Sequence, residues 1–358
     1  MTDRIYLDHA ATTPVLPEAQ AAMAEALERW ANPSSPHADG RAARAALEAA
    51  RATIADALGW RHDIILTSGA SEAIAIVASG AKAKGRILGS TEHDIVPHAM
   101  GTTAMMLRVD DAGVIDRQAL DEALLAGPAL VAIQQVNNET GVVQLFDEIA
   151  PRVRSAGSLL LTDCAQSAGK VDLPDADFIA VSAHKLGGPP GVGALLVRDL
   201  ASLAPSGGQE KGYRRGTQDM PAAASFAAAL ATERFRDAQP RFAQLRRRLD
   251  DTVRSAGGVV IAEQVGRIPG IGAIAFPGVS AASQLVQLDL AGFAVSAGSA
   301  CSSGSMKPSR VLAAMGVAAE TAAATIRVSF GPATSEEDID AFLAEWTGIA
   351  RRSNSAAA

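Results

Sequence analysis

The sequence predicts an α/β fold, with a large domain on a mostly parallel seven-stranded sheet and a smaller α+β domain after it. Three observations carry this. Seven short apolar runs are continuous rather than alternating, the pattern of strands buried on both faces. Helical patterns lie between several of them, as the crossovers of a parallel sheet require. The length of 358 residues, at ~150 residues per domain, gives roughly two domains.

The seven runs fall at 63–66, 86–89, 105–109, 130–136, 159–162, 178–182 and 194–197, with helices such as 41–58 and 71–81 between them. From about residue 239 the pattern changes to a long helix, then strands at 259–261, 273–276 and 326–330 with helices between. Ser335 followed by Glu336, Glu337 and Asp338 reads as a capping-box start to a final helix. The small, polar tail 351–358 is expected to fray. The domain division predicted is 14–238 for the large domain, with 1–13 and 239–358 forming the smaller one.

Composition removes several function classes. A net charge of -7 with 48% apolar residues excludes a mainly disordered chain and argues against a nucleic-acid binder. Two cysteines, Cys164 and Cys301, exclude a disulfide framework or a zinc site built from cysteine alone. The first residues, Met1 to Asp8, carry charges where a signal peptide needs an apolar stretch. The longest apolar run, 221–231, is far short of the ~20 residues that span a bilayer. The expectation is a soluble cytoplasmic protein with reduced thiols, no membrane partner and no nucleic-acid partner.

Ligands of open α/β sheets sit beyond the carboxyl ends of the strands. After the first run comes Thr67-Ser68-Gly69-Ala70-Ser71-Glu72, a small-residue turn opening a helix, suited to an anion. Later runs end on Thr91-Glu92-His93, Asn137-Asn138-Glu139-Thr140-Gly141, Asp163-Cys164-Ala165-Gln166 and His184-Lys185. Singly, these are ordinary loop residues, caps and turns. Together they would converge on one sheet edge.

Lys185 stands out because only six of the 32 basic residues are lysines. A partly buried lysine with a lowered pKa forms Schiff bases readily. No Walker A sequence or dinucleotide fingerprint is present, and the six histidines lack metal-ligand spacing, so no metal is expected. A lysine, an acid such as Asp163 to pair with a pyridine nitrogen, and a hydroxyl-bearing helix start are the parts of a pyridoxal phosphate site.

Cys301 sits in the run Ser296-Ala297-Gly298-Ser299-Ala300-Cys301-Ser302-Ser303-Gly304-Ser305, a composition that suits an exposed, mobile thiol. Cys164, at a buried strand end, reads as packing. Arg327, inside the apolar strand Ile326-Arg327-Val328-Ser329, needs an anionic partner, and a bidentate carboxylate is the natural one.

The chain resembles the cysteine desulfurases of the class V aminotransferase group, PLP-dependent transferases of fold type I. The matching stretches run in the family's order over nearly the whole length. They begin with Tyr6-Leu7-Asp8-His9-Ala10-Ala11-Thr12-Thr13-Pro14, Asn32-Pro33-Ser34-Ser35 and Thr67-Ser68-Gly69-Ala70-Ser71-Glu72. Glu92-His93, Val136-Asn137-Asn138-Glu139-Thr140-Gly141, Asp163 with Ala165-Gln166-Ser167, and Ser182-Ala183-His184-Lys185 follow. Gly207-Gly208-Gln209-Glu210, Arg215-Gly216-Thr217, Gly298-Ser299-Ala300-Cys301 and Ile326-Arg327 complete the set.

The resemblance implies that Lys185 bonds pyridoxal 5'-phosphate covalently and that His93 stacks on its ring and moves protons. It implies that Asp163 pairs with the ring nitrogen and Gln166 with the ring hydroxyl. Ala70, Ser71, Ser182 and His184 would bind the phosphate, with Thr217 reaching in from the second subunit of a homodimer. Asn137 and Arg327 would hold the carboxylate of an L-cysteine substrate. Cys301 would take its sulfur as a persulfide, release alanine, and pass the sulfur to an iron–sulfur scaffold or another acceptor, as in the subgroup with a long cysteine loop.

The chain departs from the family pattern at Ala73-Ile74-Ala75, at Cys164, where Ala is usual, and at His9, where Asn or Tyr is usual. It is also shorter than many relatives after Arg327. Two other functions fit the same residues: a selenocysteine lyase or related class V enzyme, and a non-catalytic sulfur-relay or partner-binding subunit.

Overall fold

The computed structural model describes residues 4–29, 31–298 and 308–357, with only the backbone given for 353–357. Twelve strands occur among these residues. They are β1 (Ile5–Tyr6), β2 (Asp63–Thr67), β3 (Gly85–Gly89), β4 (Met105–Leu107), β5 (Ala129–Ala132) and β6 (Leu159–Asp163). The rest are β7 (Phe178–Ser182), β8 (Gly193–Val197), β9 (Val259–Val260), β10 (Ile271–Ala275), β11 (Phe293–Ala294) and β12 (Thr325–Ser329).

All seven apolar runs of the first two thirds become strands of one sheet, in the order β2-β8-β7-β6-β5-β3-β4. The pairs from β4 through β7 are parallel, and β8 is antiparallel to both β2 and β7. Strands β2 and β7 therefore run in the same sense. The carboxyl ends of β2, β3, β5, β6 and β7 all lie on one edge, which is the convergence expected from the motifs.

The run 130–136 makes a shorter strand than its apolar length predicts. Beyond Ala132 only the β6 side of the ladder continues, with the Ile133 and Gln135 N–H groups on the Leu161 and Asp163 carbonyls, while on the β3 side the Gln134 N–H donates to Glu92 Oε1 at 2.9 Å. The helix predicted from residue 41 begins at Ala38, because His37 Nδ1 accepts the Gly40 N–H at 3.2 Å as its cap. Ser225 interrupts the apolar run 221–231 for a packing reason. In the buried helix Met220–Ala231 its hydroxyl donates to the Ala19 carbonyl of the neighbouring helix Pro17–Glu28 at 2.7 Å.

The carboxyl-terminal third supplies a second sheet, β12-β10-β9, and the amino terminus returns to it. β1 pairs in parallel with β11, and the Ser329 N–H donates to the Leu7 carbonyl at 2.8 Å. The predicted capping box forms: Ser335 Oγ accepts the Asp338 N–H at 3.1 Å and Asp338 Oδ2 accepts the Ser335 N–H at 2.9 Å. The helix it starts, Glu336–Ala357, runs through most of the tail expected to fray. Arginine and alanine in that stretch are good helix formers.

One buried carboxylate joins several of these pieces. Glu210, with a side chain only 1% exposed, accepts from both terminal nitrogens of Arg51 at 2.6 and 3.0 Å. It also accepts the Leu66 N–H at 2.8 Å and the Gln218 amide at 2.9 Å. It thereby ties the helix Ala38–Ala57 and strand β2 to the segment bearing Thr217. These partners hold its carboxyl below the usual range despite the opposing effect of burial. That contribution is present above the unfolded carboxyl pKa and is lost as pH falls through the lower folded value. Removing one member of a buried pair leaves an uncompensated charge. Glu210→Ala should therefore destabilise the fold by about 3–5 kcal/mol, read as a lower urea midpoint at pH 7. An unchanged midpoint would contradict this account.

Candidate active site

The five strand ends enclose a cavity of about 610 Å³, within the range of small-molecule sites. Of the residues picked out in the sequence, Ala70, Ser71, His93, Asp163 and Gln166 line it. Ser182, His184, Lys185 and Arg327 line it as well. Residues far apart in the chain meet here because all but Arg327 lie at or just after carboxyl ends of strands of the same sheet, and Arg327 comes from β12 of the second sheet.

One end is built for an anion. The helix Ala70–Gly80 opens on Gly69, which gives no side-chain cap, so its first-turn N–H groups are free for a ligand. Gly193 of β8 lets this turn sit against the sheet, since a Cβ there would lie 2.3 Å from the Val181 carbonyl and 2.7 Å from the Gly69 Cα. Glu72, one turn into the helix, accepts the Ser68 N–H at 2.5 Å and pairs with Arg214 at 3.0 Å. Burial, helped by the nearby Lys185 and Lys170, pulls His184 down to about 4. It is neutral at pH 7.

The middle of the cavity holds the lysine and the acid. No carboxylate lies within ion-pair distance of Lys185 among the described residues. Burial pulls its ammonium down to about 8, opposed by the attraction of Asp163. Asp163 Oδ1 accepts the Ala165 N–H at 2.8 Å, which fixes the carboxylate at the end of β6. His93 is pushed down by burial and by Lys185, against the pull of Asp163. Next to it, burial and Asp163 push the Glu92 carboxyl well up, and Glu92 Oε2 has no hydrogen-bond partner.

At the far end is Arg327, on β12. The anionic partner its sequence setting required is Asp8, which accepts from Nη2 at 2.8 Å. Nη1 donates to the Asn138 carbonyl at 3.0 Å, and Nε is buried without a partner. Asn137, expected beside Arg327 as a substrate ligand, is not among the lining residues. Its Oδ1 accepts the N–H groups of Glu139 and Thr140, and its Nδ2 donates to the Thr91 carbonyl. Asn138 and Glu139 line the cavity instead.

Of the two remaining expected site residues, one lies outside the cavity and the other outside the described residues. Thr217 is exposed and outside the cavity. Cys301 falls in 299–307, outside the described residues, although Gly298 and Pro308 on either side both line the cavity.

Comparison with known proteins decides the family. The aminotransferase class V model matches residues 5–342. A cysteine desulfurase of Bradyrhizobium diazoefficiens is 37% identical over 97% of this chain and 95% of its own length. The structure of a NifS-like protein from Rickettsia africae superposes with a TM-score of 0.88 at 29% identity, covering 97% of this chain and 99% of that one. A structure described as SspA in complex with cysteine gives a TM-score of 0.80 at 29% identity, over 92% and 99%. The chain belongs to the cysteine desulfurase family of class V aminotransferases.

The desulfurase family uses pyridoxal 5'-phosphate, and the residues here fit that group. Lys185 is the unpaired amine that an aldehyde needs. Asp163 is a carboxylate held at a strand end for a ring nitrogen, and the uncapped helix start suits a phosphate. Gln166 donates through Nε2 to the Ala10 carbonyl at 2.9 Å, which leaves Oε1 as a buried acceptor with no partner, a match for a ring hydroxyl.

Sequence reasoning had Asp8 and Glu139 only as letters within motifs, and it passed over Lys170. The scarcity that singled out Lys185 also applies to Lys170, which is buried against the Phe235 ring at 5.1 Å and pulled down to about 7.

Capture of pyridoxal phosphate by the cofactor-free protein requires the neutral amine of Lys185. The rate of appearance of visible absorbance should rise with pH through a midpoint near 8, where an exposed lysine would give about 10.4. Lys185→Ala should show no such absorbance. A midpoint near 10 would contradict the reading of a desolvated amine.

Proposed function

We propose that this desulfurase-family chain converts L-cysteine to L-alanine with pyridoxal 5'-phosphate, taking the sulfur as a persulfide on Cys301. The observation that carries the proposal is the pairing, in one cavity, of an unpaired lysine with an oriented arginine at the rim where the Cys301 segment departs. An amino acid has the complementary ends: an amine to react near Lys185 and a carboxylate for Arg327.

Bound pyridoxal phosphate supplies an electron sink conjugated to the substrate Cα. The protein's part is positioning and proton transfer. Arg327 offers its remaining guanidinium donors to the substrate carboxylate, with Asp8 and Asn138 holding the group in one orientation. His93, its basicity lowered by burial, is a neutral imidazole poised to take and return a proton. The Cys301 thiolate attacks the substrate sulfur: an S–S bond forms and the Cβ–S bond breaks. The electron pair left on the carbon skeleton is protonated, which gives alanine and a Cys301 persulfide. The step balances without an outside oxidant, and a nucleophilic acceptor such as a thiol or an iron–sulfur scaffold takes the terminal sulfur.

The rest of the reading concerns assembly and setting. Residues 14–238 form the cofactor-binding domain, and 1–13 with 239–358 the smaller one. Thr217 lies on an exposed segment anchored from within by Glu210, so it suits a contact with the phosphate of a second subunit, and the working form is a homodimer. Asn137 acts by shaping the turn that presents Asn138 and Glu139. No helix among the described residues is long and apolar enough to cross a membrane, and a free reactive thiol suits the reducing cytoplasm.

Cys301→Ala should keep the visible absorbance and its change on adding cysteine, yet make no alanine and carry no persulfide by mass spectrometry. Normal alanine production by this variant would remove Cys301 from the mechanism. Arg327→Lys loses the planar fork, and losing a charged hydrogen bond of about 1.5–3 kcal/mol should raise KM for cysteine roughly 10- to 100-fold. A fall in kcat with KM unchanged would place Arg327 in another role.

A further inference from the structure

Gly298, the last described residue before 299–307, and Ser309, the second after it, meet on one side chain. Ser309 Oγ donates to Glu139 Oε2 at 2.6 Å, and the same oxygen accepts the Leu312 N–H at 3.0 Å, capping the helix Arg310–Ala314. On the other side, a Cβ at Gly298 would lie 2.0 Å from Glu139 Oε2 and 2.6 Å from Cδ. The carboxyl is therefore packed flat against the Gly298 backbone, a contact only glycine permits. Glu139 is 8% exposed.

We propose that Glu139 is a positioning residue whose carboxyl ties both ends of the 299–307 segment to the wall of the cavity. Neighbouring contacts act in the same direction. Ser296 exchanges backbone hydrogen bonds with Arg327, and Arg310 pairs with Asp94 at 2.5 Å beside His93. Cys301 is three residues beyond Gly298, a reach of about 11 Å for extended chain. From Ser309 it is eight residues away, a reach of about 29 Å. The shorter span from Gly298 therefore bounds the distance of Cys301 from the cavity wall, and Gly298 rests on Glu139. The backbone N–H of Glu139 bonds Asn137 whatever its side chain, so truncation leaves the turn its own hydrogen bonds.

This inference rests on the reading of Cys301 as the sulfur-accepting thiol, and its test separates the two. Hydrogen exchange of the holoenzyme is followed in peptides covering 293–298 and 309–316, for wild type, Glu139→Ala and Glu139→Gln. Single-turnover persulfide formation and the spectral change on adding cysteine are measured alongside. Glu139→Ala should exchange at least about tenfold faster in both peptides and form persulfide at least about tenfold more slowly, the effect of one lost hydrogen bond, with the spectral change retained. Glu139→Gln keeps an acceptor for Ser309 and should restore both. In a double variant, Ser309→Ala should add little to Glu139→Ala in the 293–298 peptide, where the two share one contact, and should speed exchange further only in 309–316, where it also removes the Leu312 cap. Unchanged exchange in either peptide overturns the tether. So does loss of the cysteine spectral change in Glu139→Ala, which would make Glu139 a binding residue. Alanine production by Cys301→Ala alongside accelerated exchange in Glu139→Ala would sink the desulfurase step and leave the tether standing.

Discussion

The ion pair between Asp8 and Arg327 is the constraint on which the site's assembly depends. It joins Asp8, just after the amino-terminal strand, to β12 near the other end of the chain, and Arg327 itself lines the cavity. A buried pair contributes little net stability compared with well-packed apolar residues, because desolvation offsets the attraction. Its value here is orientation. With Nη2 on Asp8 and Nη1 on the Asn138 carbonyl, the guanidinium plane is set before any ligand arrives, and Nε is left as an unused buried donor. The backbone of Arg327 also anchors Ser296, so one residue aligns the guanidinium and the described chain leading to Gly298.

Burial gives the cavity its chemical character. Lys185, His93 and His184 are all pulled down, and Glu92 and Glu139 are pushed up, with desolvation the first cause in every case. Each shift favours the uncharged form. For the lysine that means a larger share of neutral, nucleophilic amine than a solvated lysine holds, and for His93 a neutral imidazole able to accept a proton. A water-filled cleft with the same residues would leave the lysine protonated and strongly solvated. The sheet therefore does more than place these groups, since its packed strand ends withdraw the solvent that would keep them charged.

Much of this was legible in the sequence because the signals are local. A strand buried on both faces writes a continuous apolar run, and the residue after it is marked as a site candidate by topology alone. Lys185, Asp163 and His93 were found that way. What was not legible depends on pairing at a distance. The arginine in β12 announced the need for an anion but could not say that the anion is Asp8, 319 residues away. Asn137 and Asn138 are indistinguishable in sequence, and only the turn geometry shows that the first is consumed by the turn while the second reaches the cavity. The run 130–136 forms a shorter strand because its pairing with β3 ends at Ala132, where Glu92 captures the Gln134 N–H.

The two cysteines show how the same fold separates inert from usable sulfur chemistry. Cys164 is fully buried, its Sγ lies 3.4 Å from Gln135 Oε1, and burial pushes its thiol up, away from the thiolate that a nucleophile requires. It stands one residue from Asp163, yet it packs into the core beneath the sheet edge and has no route to a substrate sulfur or to an acceptor. Any sulfur relay must therefore use a thiol that can reach both the cavity and the protein surface. Cys301, proposed above as that thiol, stands three residues beyond Gly298, which lines the cavity. A thiol that must visit two places needs slack, but too much slack dilutes it at the site, because effective concentration falls as a tether lengthens. Under that proposal, the contact of Gly298 with Glu139 holds the start of the tether at the cavity wall.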